Sequence, residues 1–253
     1  YFGDLAKFVQ VIRLYARDSI APVMINHDHC TTFTACREAI EAGVDAVMFD
    51  GSHYPYQENI DKTREVVEYA HAHNVWVEAE LGQLPGFEDE VFAESVAYTD
   101  PDLVPDFIGR TGCDALAVSV GTSHGGVIAG DYLPLDFERL EKIAGQVPGY
   151  PLVLHGAASL PPHLIDAVNA YGGEVPYMRN CAEEDIARVS GYGVRKANMD
   201  VDNFLCFTAA LRKHLLHAPA EYNPRGYLKA ARASFAEEVR HKMRNIMHSS
   251  GRY

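Results

Sequence analysis

The chain has 253 residues, 47% of them hydrophobic and 23% charged, which is the composition of an ordinary globular protein able to bury a core. Its 35 acidic residues against 22 basic ones give a net charge of −13. That balance argues against nucleic acid as the main partner, because binding a phosphate backbone needs a basic surface. It does not exclude a small phosphorylated substrate held in a local pocket.

The chain starts at Tyr1, without a methionine, directly in a helical pattern, which reads as a truncated or unresolved beginning. Short apolar runs then alternate with helical stretches. The predicted strands are "APVMIN" (21–26), "DAVMFD" (45–50), "VWVEAE" (75–80), "ALAVSV" (115–120), "PLVLH" (151–155) and "VRKANMD" (194–200). Helices are predicted over 33–42, 58–73, 101–112, 136–147, 161–171 and 182–191, with a broken helical tail from 202 to 248. Strand–helix alternation with nearly continuous apolar strands predicts a parallel sheet covered on both faces. No Pro/Ser-rich linker divides the chain, so residues 1–253 are expected to form a single domain.

Five of the six runs end in groups that bind metal or move protons: His27-Asp28-His29, Asp50, Glu80, His155 and Asp200. The sixth reaches His124 just past its apolar core. Each group alone has a plainer reading: a strand-end Asp usually caps the next helix, and a lone His is usually capped or solvated. His71, His73, His214, His217, His241 and His248 fit that plainer reading as surface residues. Recurrence over successive strands lifts His29, His124 and His155 above it. Such gathering at the C-terminal ends of parallel strands is the habit of a (β/α)8 TIM barrel. An open doubly wound sheet is the alternative, but it usually brings a glycine-rich turn after its first strand, and none is seen.

The segments "VMINHDHC", "AVMFDGSHYPYQENI", "VEAELGQLPGFED", "TDPDLVPDFIGRTGCDALAVSVGTSHG", "PLVLHGAASLP", "GVRKANMDVD" and "NPRGYLKAA" occur in this order across the chain. Together they resemble the class II, metal-dependent ketose-bisphosphate aldolases, which include fructose-1,6-bisphosphate and tagatose-1,6-bisphosphate aldolases. The stretch from "YGGEVPYM" to "VRKANMD" is most similar to the Calvin-cycle type, with a helical insertion at about 172–193. The resemblance implies a (β/α)8 barrel whose first two βα units are missing from this chain. It implies retro-aldol cleavage of a ketose bisphosphate to dihydroxyacetone phosphate and an aldehyde.

The same resemblance implies roles residue by residue. Zn²⁺ would be held by His29, His124 and His155, with Glu80 binding it in an alternative position. Asp50 either joins that outer set or orients a ligand histidine. Asp28 would take the proton from the C4 hydroxyl, and Glu88 in "GQLPGFEDE" would pass a proton to the three-carbon enediolate. Gly125 and the turn Gly156-Ala157-Ala158-Ser159 would hold the donor phosphate, with a monovalent cation nearby. Asn198, Asp200 and Val201 would line the same half, and Arg225 would reach the far phosphate from a neighbouring subunit of a homodimer or homotetramer. His27 then falls at a variable position and is expected to pack.

Two positions depart from the family pattern. Ala158 stands where a serine is usual, and Val201 where a hydroxyl residue is usual. A hydrogen bond to a charged group contributes on the order of 1.5–3 kcal/mol, so a phosphate would be weakened unless Ser159 or backbone donors compensate. A non-phosphorylated or different donor is therefore one alternative. A zinc amidohydrolase using His27, His29, His124, His155 and Asp200, a Schiff-base aldolase using Lys196, and a non-catalytic accessory subunit are the others. The five cysteines (Cys30, Cys36, Cys113, Cys181, Cys206) are odd in number and form no C-x-x-C pair. They fit a reducing, cytoplasmic setting. No run of about eighteen apolar residues predicts a membrane helix.

Overall fold

The computed structural model describes residues 4–84, 86–88, 91–93, 97–128 and 134–252. Helix α1 (Leu5–Ala16) leads into strand β1 (Asn26–Cys30), α2 (Phe33–Glu41), β2 (Ala46–Phe49), α3 (Tyr56–Ala72) and β3 (Trp76–Leu81). A short hairpin, β4 (Gly86–Glu88) and β5 (Val91–Ala93), precedes α4 (Val104–Thr111) and β6 (Ala115–Val118). Then come β7 (Val127–Ile128), α5 (Phe137–Gln146), β8 (Leu152–Leu154), α6 (Pro162–Asn169), β9 (Met178–Arg179), α7 (Glu183–Arg188) and β10 (Val194–Ala197). The chain closes with α8 (Val201–His217), α9 (Pro224–His241) and a π-helical turn, Lys242–Ile246.

Six strands form one sheet in the order β1-β2-β3-β6-β8-β10, and every pairing in it is parallel. Consecutive neighbours joined by helices are what the alternating pattern dictates. The sheet is α/β and curved like part of a barrel. Its end strands come close enough for a side chain of β1, Asp28, to bond Asn198 just past β10.

Period-two alternation decides which residues face where. Val47 and Phe49 of β2, Val77, Ala79 and Leu81 of β3, Leu116 and Val118 of β6, and Leu152 and Leu154 of β8 pack into one large cluster with the helices. The alternate residues Met48, Ala117 and Val153 form a small cluster of their own on the concave face. Helix starts are capped as their sequences suggest: Thr32 Oγ1 accepts from Ala35 N, Asp136 from Arg139 N, and Asn223 from Arg225 N.

The first strand differs from expectation. It covers 26–30 rather than the apolar run 21–26. Pro22 has no N–H to give a ladder, and Val23 and Met24 are 43% and 57% exposed. Pairing begins only where the Ile25 carbonyl accepts from Asp45 N and Ala46 N. The hairpin at 86–93 and the β7–β9 pair were not expected from the sequence.

Candidate active site

On β3, Glu78 and Glu80 alternate with the apolar residues and so point to the concave face, where both are buried. By the same parity Asp50 follows Met48, His155 follows Val153, and Asn198 follows Lys196. On β1, parity puts Asn26 and Asp28 inside, and Asn26 Nδ2 donates to Asp28 Oδ1 at 3.1 Å. His29 should then face outward. Instead its backbone is left-handed, φ 44°, and the β1–β2 register shifts between His27 and Cys30. That irregularity turns His29 inward beside Asp28. His27 stays on the other parity, with Nδ1 2.9 Å from Cys30 Sγ.

Three imidazoles converge. Ring centroids lie 4.7 Å apart for His29–His155, 5.2 Å for His29–His124 and 6.1 Å for His124–His155. His29 Nε2 is 3.1 Å from His155 Nδ1, and His29 Nδ1 is 2.9 Å from Asp50 Oδ2. His155 Nε2 donates to Glu78 Oε1 at 2.7 Å. With that proton fixed on Nε2, His155 presents the lone pair of Nδ1 to the centre. Asn198 Nδ2 donates to Asp28 Oδ2 at 2.6 Å and lies 3.1 Å from His155 Nδ1. Lys196 Nζ bridges Glu78 Oε2 at 2.8 Å and Asp28 Oδ1 at 3.4 Å.

The charges are arranged to suit a cation. Burial pushes the His29 imidazole down, but the Asp50 hydrogen bond and the Glu80 and Asp28 charges outweigh it and raise the pKa to about 9. His124 goes the other way, to about 3, because burial and the neighbouring His29 and His155 disfavour its charged form. Burial also opposes ionisation of Asp50, yet its bonds to His29 and Ser52 hold it at about 2. Asp28 likewise ends below the usual carboxylate range: burial raises it, and His155, Lys196 and His29 lower it further. Burial, then Asp50, drives Glu80 well above that range, and its Oε2 has no hydrogen-bond partner among the described residues. A buried oxygen left so costs free energy unless something cationic meets it. The groups Asp28–His29–His155 and His29–Asp50–Glu80, with the orphaned Glu80 oxygen, therefore fit a metal ion, while the His124 ring lies beside them without joining either group.

The surrounding turns are built around glycine. Gly156 has φ 59°, and a Cβ there would lie 2.6 Å from Ser123 O. Ala157 and Ala158 are buried behind it. Ser159, expected to face a phosphate, is committed elsewhere: its N–H and hydroxyl reach Asp202 Oδ2 at 2.9 and 3.0 Å. Leu160 N donates to the other Asp202 oxygen at 2.8 Å, and Lys242 Nζ neutralises the same carboxylate at 2.6 Å. Asp200 caps α8 through Val201 N. Val201 packs against the apolar cluster of Leu160, Leu164 and Ile165, which explains an aliphatic residue at that position. Arg225 is exposed in the first turn of α9. The side chain of Glu88 lies outside the described residues.

A cavity of about 390 Å³ on the concave face opens at the N-terminal ends of the strands, lined by Ala46, Trp76, Ala115 and Pro151 and reached by Glu78 and Lys196; the three imidazoles and Asp28 do not line it. A wider cleft of about 620 Å³, lined by Asp102, Asp136 and Arg139, contains none of the converging groups. Glu78 was not singled out in the sequence, although its spacing of two from Glu80 places both on one strand face.

Fold and site together define an α/β enzyme with residues able to hold a metal ion at the C-terminal ends of its strands. The family model described as fructose-bisphosphate aldolase class-II matches residues 1–252, so the chain belongs to that family. A fructose-bisphosphate aldolase of Treponema pallidum is 41% identical over 91% of this chain and 74% of its own length. One from Thermus caldophilus is 39% identical over 96% and 79%. Among solved structures, the YdjI aldolase of Escherichia coli K12 superposes with TM-score 0.72 at 24% identity, covering 98% of this chain and 77% of that one. The Campylobacter jejuni fructose-bisphosphate aldolase gives 0.70 at 20% identity, over 96% and 75%. At these identities the structures support the fold alone.

Proposed function

We propose that this chain catalyses the reversible aldol cleavage of fructose 1,6-bisphosphate to dihydroxyacetone phosphate and an aldehyde phosphate, with Zn²⁺ held by His29, His124 and His155. The observation that carries it is the approach of the three imidazoles to one another, with His29 and His155 grouped beside Asp28. The six parallel strands fit six consecutive strands of a (β/α)8 barrel, and we take residues 1–253 as one domain.

A bound metal cation supplies the positive charge that a developing enediolate needs. Asp28, ionised and aimed by Asn198 and Lys196, accepts the proton of the C4 hydroxyl. The C3–C4 bonding electrons pass to the ketone half, and C4 leaves as the aldehyde. Glu88 returns a proton to the three-carbon half. The ring of Asp50 and Glu78 holds His29 and His155 in orientation. Glu80, buried beside His29, would hold the metal in an alternative position. With Ser159 engaged, Ala158 and Val201 apolar, and the N–H groups of Ala157 and Leu160 given to Asn198 and Asp202, the donor phosphate relies on the remaining backbone N–H groups of the turns at Gly125 and Gly156, aided by a monovalent cation. Arg225 serves the far phosphate in an oligomer.

The test is a cleavage assay with fructose 1,6-bisphosphate before and after chelation, run beside the reverse reaction with dihydroxyacetone phosphate or dihydroxyacetone as donor. Chelator-sensitive activity preferring the phosphorylated donor is expected. Activity that survives chelation and is trapped by borohydride would point to Lys196 and overturn the proposal. So would a preference for unphosphorylated donor.

A further inference from the structure

The segment 172–193 enters no step above, yet it contributes one side chain to the heart of the site. The β7–β9 pair, Val127 opposite Arg179 and Ile128 opposite Met178, brings residue 180 against the turn that follows His124. Asn180 is buried there. Its single amide nitrogen donates twice, to Ser123 O at 2.9 Å and to Gly156 O at 2.7 Å. Its oxygen accepts from Cys181 N at 3.0 Å, so the nitrogen's orientation is fixed.

Each accepted carbonyl belongs to a peptide unit that carries the site. Ser123 C=O shares its planar unit with the N–H of His124. Gly156 C=O shares its unit with Ala157 N–H, which donates to Asn198 O at 2.9 Å. The side chain of Asn198 in turn holds Asp28 and touches His155. A hydrogen-bonded chain thus runs from Asn180 to both imidazole-bearing turns and to the proposed base. The turns touch directly, since a Cβ on Gly156 would strike Ser123 O and C at 2.6 and 2.7 Å. Two carbonyls brought side by side repel unless a donor lies between them, and an amide –NH₂ offers two protons from one uncharged atom.

We propose that Asn180 is a positioning residue that locks the turn after His124 to the turn after His155, setting the spacing of the metal-holding imidazoles and the aim of Asp28. The proposal rests on the aldolase reading for its kinetic consequence only. Its consequence for metal retention stands apart from that reading.

The experiment compares Asn180→Asp, Asn180→Ser and the parent protein in three readouts: melting temperature, the rate of zinc loss to excess chelator, and kcat and KM with fructose 1,6-bisphosphate. Asn180→Asp sets a carboxylate oxygen against two carbonyls. It is expected to speed zinc loss on the order of tenfold or more and to lower kcat more than it raises KM, beyond any loss of folded protein. Asn180→Ser keeps one donor and should fall between; it decides the matter if the Asp variant does not fold. Zinc loss within twofold of the parent in both variants overturns the proposal, whether or not the parent cleaves the sugar. A fall in activity that merely tracks the folded fraction overturns it as well.

Discussion

His29 is held at φ 44°, a conformation that costs a β-carbon-bearing residue of order 1–3 kcal/mol. The surrounding bonds to Asp50 and His155 offset it. Glu78 acts one step behind, fixing the proton of His155 on the nitrogen remote from the centre. Replacing Glu78 by Gln keeps the shape but lets the ring take either tautomer, and strips Lys196 of its nearer carboxylate. Zinc affinity should fall roughly 10–100-fold, as for other partners of metal-holding histidines. A chelator-competition titration measures it, and unchanged affinity would remove Glu78 from the site. Much of the site was legible in single residues: Asp50, Glu80 and His155 end runs of the right parity. His29 was not readable by parity, because one left-handed residue inverts the rule, and only the family resemblance separated it from His27.

At the scale of elements, the end of α9 is stitched to the turn after β8. Lys242 opens the π-helical turn and lies among Asp202, Glu183, Glu238 and Ser159. Burial opposes ionisation of Glu183, yet its bonds to Lys242 and His241 hold the carboxyl below its ordinary 4.5. A depressed folded-state pKa contributes stability that is present above about pH 4.5 and lost as pH falls through the depressed value. Urea unfolding should therefore show Glu183→Gln less stable than the parent at about pH 7, with the gap closing as pH falls through the depressed value. A gap independent of pH would mean that the carboxylate charge contributes nothing. The sequence carried the helices here, but not the reassignment of Ser159. Its partner Asp202 lies forty-three residues on and Lys242 eighty-three, and no local pattern reports such a pairing.

For the whole molecule, the concave face collects like charges and half-satisfied polar groups that a cation reconciles. Metal bound to the folded state alone adds about 4 kcal/mol at a thousandfold excess over its dissociation constant. At this chain length that corresponds to a melting-temperature rise of roughly 10 °C. Calorimetry with and without chelator should show a shift of that size, and equal melting temperatures would mean that no ion binds the folded state preferentially. Assembly order follows from the same geometry. His29 meets His155 across 126 residues of sequence, and Asp28 meets Asn198 across 170. Neighbouring strands and helices can pair as the chain leaves the ribosome, whereas these contacts wait until His155 and Asn198 have emerged, with α8 and α9 still to follow. The candidate site therefore assembles only after all six strands of the sheet are made, so an ion would enter a sheet already in place.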